Sequence, residues 1–207
     1  AMEEYGQKDF YITEVGIPTI PGDPNADCLR TQADYLVRIY ALAVAYGTDR
    51  IQYYSGTDKT IHQNGFENTD EQYYGILKPK PAAAAFAAMT RQLESMQNAV
   101  TNAKYDQGDT GTLRAFDIDT ALNGKVVLVW SNCQILPNGI AGQLRERKAM
   151  LPWHNQWGKS EDVTFETADG GTVTATDVMG NDTLYIAQNG KVTIPVTGSP
   201  VYIKGIL

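Results

Sequence analysis

The residue best placed for chemistry in this sequence is Glu14, at the end of a short strand-like run. The run DFYITEV (9–15) is rich in aromatic and β-branched residues, which favour a buried strand. Gly16 and Pro18 follow it and mark a loop. A carboxylate beside such a loop can act as a nucleophile or as a general acid or base. The alternative is that Glu14 is an exposed strand-end charge with no chemical role.

The elements that would position Glu14 alternate between strand and helix. After the first strand, apolar residues at helical spacing predict a helix at about 27–46, and DRIQYYSGTD (49–58) predicts a second strand. A long loop is expected at roughly 56–75, and a proline-opened helix at 78–97. This order is typical of a parallel α/β sheet or barrel.

From about residue 105 the hydrophobic period changes to two. Dipeptides such as Asn123-Gly124 and Asn189-Gly190 separate the runs and are strong hairpin signals. The pattern predicts an antiparallel β-sandwich of about 100 residues. Seven runs have strand character: TLRAFDID, KVVLVWSN, DVTFETA, TVTATDV, TLYIAQ, KVTIPV and PVYIKGI.

Net charge, apolar runs, cysteine spacing and motifs together limit which partners and which kinds of site the sequence supports. The chain has 207 residues and a formal charge of −7, which argues against a nucleic-acid or anionic-membrane surface. No apolar run approaches the ~20 residues of a membrane span. Cys28 and Cys133 have no metal-like spacing and are either unpaired thiols or a disulfide, so the compartment stays open. The sequence shows no metal-ligand cluster, phosphate loop or Ser/Cys–His nucleophile pattern.

Several segments resemble retaining glycoside hydrolases with (β/α)8 barrels. YITEVGIPT resembles the seventh-strand motif of that large clan, and the segment from QADYLVRIY to YYSGTD resembles the seventh helix and eighth strand. YYGILKPKPAAAAFAAM resembles the chain after strand eight, and the terminal run ending GSPVYIKG resembles an accessory β-sandwich. The likeness covers nearly the whole chain.

The resemblance implies a role for Glu14. In those enzymes the glutamate that ends the seventh strand is the catalytic nucleophile, and the active site lies at the carboxyl ends of the strands. An ionised carboxylate there attacks the anomeric carbon and forms a covalent glycosyl-enzyme, which water then hydrolyses. Glu14 is therefore expected to be the nucleophile.

Five further residues are candidates for sugar binding. Tyr53 and Tyr54 end the eighth strand, where the related enzymes carry an aromatic sugar platform, and alternation cannot say which of them faces inward. Asp58 either bonds sugar hydroxyls or caps its loop. Trp153 and Trp157 offer flat faces that suit pyranose C–H surfaces, or they fill the interface between sandwich and barrel.

The sequence departs from the family at the second carboxyl group. A retaining mechanism needs a general acid/base about 5–5.5 Å from the nucleophile. In these families it is a glutamate that usually follows asparagine on strand four, and this sequence contains no Asn-Glu pair. Since only the last quarter of a barrel is represented, we expect the C-terminal portion of a longer enzyme that lacks the proton donor, a role worth ~10²–10⁴-fold.

The resulting prediction is a fold that is α/β plus all-β. Residues 1–98 are assigned to the last strand–helix units of a (β/α)8 barrel and 99–207 to an antiparallel β-sandwich. The predicted function is a segment of a retaining glycoside hydrolase; the alternative is a non-catalytic carbohydrate-binding or structural module. No cofactor or metal is expected. The expected partner is an oligosaccharide or polysaccharide, with an oligomer or a missing N-terminal barrel half, and secretion or the periplasm is favoured by analogy.

Overall fold

The computed structural model describes residues 6, 9–19, 27–62, 69–77, 80–108, 111–131, 157 and 160–207. The chain forms two compact units, Ala1–Ala83 and Ala84–Leu207. The sequence placed its domain boundary at 98/99, whereas the compact units meet at 83/84. This division falls inside the helix Pro81–Gln92, because most of that helix packs with the strands that follow it in sequence.

The first unit is built on a strand–helix–strand motif. β1 (Tyr11–Val15) and β2 (Arg50–Tyr53) pair in parallel, and α1 (Asp27–Ala45) connects them. The helix ends within one residue of its predicted end. Because the two strands are parallel, their carboxyl ends lie at the same edge of the sheet, as the sequence pattern requires of a βαβ unit.

The buried face of α1 follows the helical period. Ala33, Leu36, Val37 and Ala41 are each at most 3% exposed, at spacings of three, four and eight residues from Ala33. These spacings put the four side chains on one stripe of the helix, which is the stripe that packs against the rest of the unit.

A short hairpin replaces part of the loop expected at 56–75. β3 (Lys59–His62) pairs antiparallel with β4 (Thr69–Gln72) over four residue pairs. The prediction of a long loop over 56–75 was therefore wrong at these residues. Its two strands, KTIH and TDEQ, are polar and lack an apolar period, so sequence pattern could not indicate them.

The second helix is shorter than its pattern indicated. α2 (Pro81–Gln92) ends five residues before the predicted end at 97, and β5 (Met96–Thr101) begins instead. The turn between them closes through a hydrogen bond from the Met96 amide to the Leu93 carbonyl. Ser95 has a φ of 56°, in the left-handed region that a helix cannot continue through.

Antiparallel strands make up the rest of the second unit. A six-stranded sheet has the order β10-β9-β12-β7-β6-β5, and β11 pairs with β8 in a two-stranded sheet. All seven predicted strand runs form strands, and β5 is an addition to them. The bounds are β6 (Leu113–Thr120), β7 (Gly124–Ser131), β8 (Glu161–Glu166), β9 (Thr172–Thr176), β10 (Asp182–Ile186), β11 (Lys191–Val196) and β12 (Val201–Lys204).

The core of this unit lies between the two sheets. Phe165 and Ile194, on β8 and β11, pack with inward-facing residues of the larger sheet such as Val127, Val129 and Ile203, all at most 2% exposed. Along β11 buried and exposed residues alternate strictly, as expected for a sheet with one covered face. The period-two pattern of the sequence is thus explained by this two-layer core.

The opposite face of the larger sheet is also buried. β7 is buried from Val126 to Ser131, so side chains on both of its faces are covered. Phe116 and Trp130 pack with their ring centroids 5.5 Å apart on this second face. In the described part of the chain, neither helix is long and apolar enough to cross a membrane.

Candidate active site

The candidate site forms where β1 and β2 end together. The amide of Tyr54 donates a hydrogen bond to the Val15 carbonyl at 2.8 Å, which ties the residue after β2 to the last residue of β1. Glu14 precedes Val15 and its side chain is exposed. The parallel pairing therefore brings Glu14 and Tyr54, 40 positions apart in sequence, to the same edge.

An open cleft of about 440 Å³ occupies this edge. Its lining residues are Glu14, Val15, Gly16, Tyr54 and Tyr74. The volume lies within the range of small-molecule sites, which run from about 300 to 1,000 Å³. The structure thus places the predicted nucleophile in a cleft together with two aromatic side chains.

The two tyrosines that end β2 have different environments. Tyr54 lines the cleft, whereas the Tyr53 hydroxyl accepts a hydrogen bond from the Ile17 amide at 3.3 Å. Burial is the main cause that raises the pKa of Tyr53 to about 12. Tyr54 is therefore the tyrosine that lines the cleft with Glu14, and the Tyr53 hydroxyl is bonded to the backbone. Contact of either tyrosine with a sugar stays a prediction.

The absence of a side chain at Gly16 allows the end of β1 to approach Tyr54 and Tyr74 closely. A Cβ atom at this position would overlap the carbonyl oxygen of Tyr54 and lie 3.2 Å from the Cδ1 atom of Tyr74. No side chain fits between the end of β1 and the two tyrosines. The peptide bond that follows Tyr54 is cis.

Tyr74 is the site residue that the sequence did not single out. Its ring lies 5.4 Å from the ring of Tyr54, measured between centroids, at an interplanar angle of 64°. Its carbonyl accepts hydrogen bonds from the Gln32 side chain at 3.2 Å and from the Ser55 amide at 3.4 Å. The only local signal was a Tyr-Tyr-Gly run before a proline-opened helix, which gives no indication of proximity to Glu14.

Asp58 makes the contacts expected of the loop-capping alternative. Its carboxylate is 12% exposed and accepts hydrogen bonds from the Gly75 amide and the Lys80 ammonium, each at 2.8 Å. It is not one of the residues that line the cleft. Asp58 therefore joins two segments near the site, and direct contact with a sugar stays a prediction.

Trp157, the tryptophan candidate that the structure describes, belongs to the second unit. Trp153 lies outside the described residues, and Trp157 is half-buried. Their stacking and interface-filling alternatives both stay predictions.

The chemistry available in the cleft is that of one carboxylate beside two aromatic rings. Among the lining residues that the structure describes, Glu14 is the carboxylate. Within the described ranges, no three histidine, cysteine or acidic side chains come together as a metal site. A lone exposed carboxylate can attack an electrophilic carbon, but it cannot also protonate the group that leaves.

Comparisons with known proteins agree with this geometry at the level of the fold. No protein-family model and no curated protein matches the sequence. Among solved structures, the chain is similar to a family 39 glycoside hydrolase from the gut symbiont Bacteroides cellulosilyticus WH2, with a TM-score of 0.59 and 14% identity. The match covers 96% of this chain and 34% of the other, so this chain spans about a third of that enzyme's length. The chain thus has a glycoside hydrolase-like fold.

Proposed function

We propose that this chain is a C-terminal segment of a retaining glycoside hydrolase and that Glu14 is its nucleophile. The observation that carries the proposal is the position of Glu14. It is exposed, stands where two parallel strands end, and lines a cleft with Tyr54 and Tyr74. In this proposal β1, α1, β2 and α2 are the last units of a (β/α)8 barrel, and the antiparallel sheets of the second unit are an accessory β-sandwich.

The proposed reaction has two steps. In the first, the Glu14 carboxylate forms a bond to the anomeric carbon while the bond to the leaving-group oxygen breaks. In the second, water attacks the same carbon, passes a proton to the carboxylate that had served as the acid, and releases Glu14 as a carboxylate. The proton for the leaving group comes from a second carboxyl group, which we place in a part of the enzyme outside these 207 residues.

The aromatic rings beside Glu14 have a role in this proposal. Tyr54 and Tyr74 line the same cleft, and a tyrosine side chain combines apolar ring surface with a hydroxyl group. Sugar rings carry both C–H faces and hydroxyls, so tyrosine side chains suit them on both counts. We therefore expect an oligosaccharide or polysaccharide to occupy the cleft.

The test uses aryl β-glycosides with activated leaving groups, which need little protonation and so tolerate a missing acid. Wild type is compared with Glu14→Gln, and Glu94→Gln serves as the control because Glu94 is exposed outside the cleft. We expect turnover in wild type and in the control, and its loss in Glu14→Gln. Equal turnover in all three proteins would contradict the assignment of Glu14.

A second readout covers the case in which the isolated chain turns over too slowly to measure. A 2-deoxy-2-fluoro aryl glycoside slows hydrolysis of a glycosyl-enzyme, so the covalent adduct accumulates. Mass spectrometry of the peptide that contains Glu14 is expected to show the added sugar in wild type and not in Glu14→Gln. An adduct at another residue would overturn the proposal.

A second candidate function is a carbohydrate-binding module without catalysis. It is favoured by one observation: of the cleft-lining residues within the described ranges, Glu14 alone carries a carboxylate. Calorimetry with oligosaccharides separates the candidates. Binding without turnover and without a covalent adduct would favour the binding module.

A further inference from the structure

Lys80 sits at the junction of three segments around the candidate cleft. Its ammonium group contacts the Asp58 carboxylate at 2.8 Å, the Thr19 hydroxyl at 3.1 Å and the Tyr73 carbonyl at 3.3 Å. Thr19 follows β1, Asp58 follows β2, and Tyr73 follows the β3–β4 hairpin. Since an ammonium group has three N–H donors, these three oxygen acceptors match its full donor capacity.

The same segments are also tied to one another directly. The amide and the hydroxyl of Thr19 both donate to the Tyr73 carbonyl, at 2.9 and 3.0 Å. The Gly75 amide donates to Asp58 at 2.8 Å, and a Cβ atom at Gly75 would overlap the backbone of Asp58. The Tyr73 carbonyl and the Gly75 amide, on either side of Tyr74, are therefore bonded to Thr19 and Asp58, and both of these also contact Lys80.

This arrangement connects Lys80 to the aromatic wall of the cleft, defined here as Tyr54 and Tyr74. Tyr74 lies between the two fixed residues, and its own carbonyl is bonded by Gln32 and Ser55. With its backbone held in this way, the ring of Tyr74 is directed against the ring of Tyr54. Lys80 thus contacts the residue directly before Tyr74, through the Tyr73 carbonyl.

We propose that Lys80 is a positioning residue that holds the aromatic wall of the cleft in place. Its role as a structural support follows from these contacts, and what the wall binds rests on the proposed function. The side chain is 12% exposed, so water replaces its contacts poorly when they are lost. Lys80→Met keeps the apolar stem and removes all three hydrogen bonds.

Two variants and a control separate this role from general destabilisation. Lys80→Met leaves the Asp58 carboxylate without its ammonium partner, which can prevent folding. The double variant Lys80→Met/Asp58→Asn removes that charge, while the amide oxygen can still accept from Gly75. Lys104→Met is the control, since it breaks an ion pair of similar length, 2.7 Å, whose side chains are 53% and 55% exposed.

The experiment places 3-fluorotyrosine at position 74 and records its ¹⁹F resonance. We expect the Tyr74 resonance to shift or broaden in Lys80→Met and in the double variant, and to stay unchanged in Lys104→Met. An unchanged resonance in a folded Lys80→Met protein overturns the proposal. If only the double variant folds, an unchanged Tyr74 resonance in that protein also overturns the proposal.

Oligosaccharide affinity provides the functional readout. If wild type binds, Lys80→Met is expected to raise Kd by roughly tenfold, with no change in Lys104→Met. Equal Kd values for wild type and Lys80→Met would overturn a role in ligand binding. If wild type binds no oligosaccharide, the proposed function fails, while the Tyr74 resonance still decides whether Lys80 positions the wall.

Discussion

At the scale of single residues, the candidate site depends on a position where only glycine fits. The backbone of Tyr54 occupies the space that a Cβ atom at Gly16 would need. A contact with backbone cannot be relieved by rotating a side chain, so either β1 or the residues after β2 must move. Gly16 therefore contributes both to stability and to the distance between Glu14 and the tyrosines.

Gly16→Ala is expected to destabilise the first unit by about 1–3 kcal/mol, the usual effect of overpacking. Gly56→Ala is the matched control, because its Cβ would lie 3.4 Å from Leu77 Cδ1, an ordinary contact distance. Urea unfolding followed by far-ultraviolet circular dichroism measures the free energy of unfolding of both variants. A Gly16→Ala protein as stable as Gly56→Ala would show that the strand ends adjust freely.

Tyr53 predicts a pH dependence on the alkaline side. Burial raises its pKa from 10.0 to about 12, so the folded protein holds the phenol proton after the unfolded chain has lost it. Its contribution to stability is complete below pH 10 and falls as pH rises from 10 to 12, by up to about 2–3 kcal/mol.

The measurement is the free energy of unfolding as a function of pH for wild type and Tyr53→Phe. The wild-type protein is expected to lose more stability between pH 10 and 12 than the variant does. A phenolate absorbance titration gives an independent reading, in which the variant lacks one group that titrates near 12. Parallel curves for the two proteins would contradict the assigned burial.

At the scale of elements, α2 is held at its carboxyl end by a side chain from a hairpin turn. The Asn123 amide donates to the carbonyls of Arg91 and Gln92, at 2.9 and 3.0 Å. These belong to the last turn of the helix, where carbonyl groups lack partners within the helix. The β6–β7 turn therefore satisfies part of the helix end that packs beside it.

Asn123→Ala is expected to lower the free energy of unfolding of the second unit by about 1–2 kcal/mol, since two carbonyls lose their donor. Leu122→Ala, at a neighbouring position in the same turn with Leu122 66% exposed, is expected to change it little. Thermal unfolding by circular dichroism compares the two. The expectation fails if Asn123→Ala unfolds at the wild-type temperature.

The elements also show which parts of the fold were accessible to sequence reasoning. α1 and the seven strands were predicted because each carries its own period and its own turn residues, such as Gly124 after Asn123. The β3–β4 hairpin was missed because most of its residues are polar. β5 was missed because Met96 continues the helical pattern before it, and its pairing depends on β6. The α2 end was misplaced because the helical pattern of residues continues beyond Gln92, while the backbone turns at Ser95.

As with the fold, residues of the candidate site could be predicted only where a local sequence pattern marks them. Glu14 was singled out by its place near a strand end and by the resemblance of YITEVGIPT to a seventh-strand motif, and its catalytic role stays a prediction. Parallel pairing of β1 and β2 places it near Tyr54. Tyr74 could not be found, since its position depends on hydrogen bonds from Gln32 and Ser55 that no local pattern specifies. Residues that act through tertiary contacts, Lys80 among them, need the structure.

At the scale of the whole molecule, the two units differ in how their sheets are supported. In the first unit, β1 and β2 form a two-stranded parallel sheet, and most β1 side chains are exposed. In the second, β7 lies between β12 and β6 and is covered on both faces. Two-stranded sheets are marginal in isolation, whereas central strands of a packed sheet open only in large unfolding events.

Amide hydrogen exchange is therefore expected to differ between the units. Amides of Val126–Trp130 should exchange at least about tenfold more slowly than those of β1 and β2, which corresponds to a difference in opening free energy of about 1.4 kcal/mol. Peptide-level mass spectrometry resolves the three strands, with β10, at the edge of the same large sheet, as an internal control for edge position. If β1 is as protected as β7, the strand receives support that the two-stranded sheet does not explain. A sheet completed by further strands, from a second copy or from the remainder of a barrel, would then account for it, and concentration dependence of the protection distinguishes these two sources.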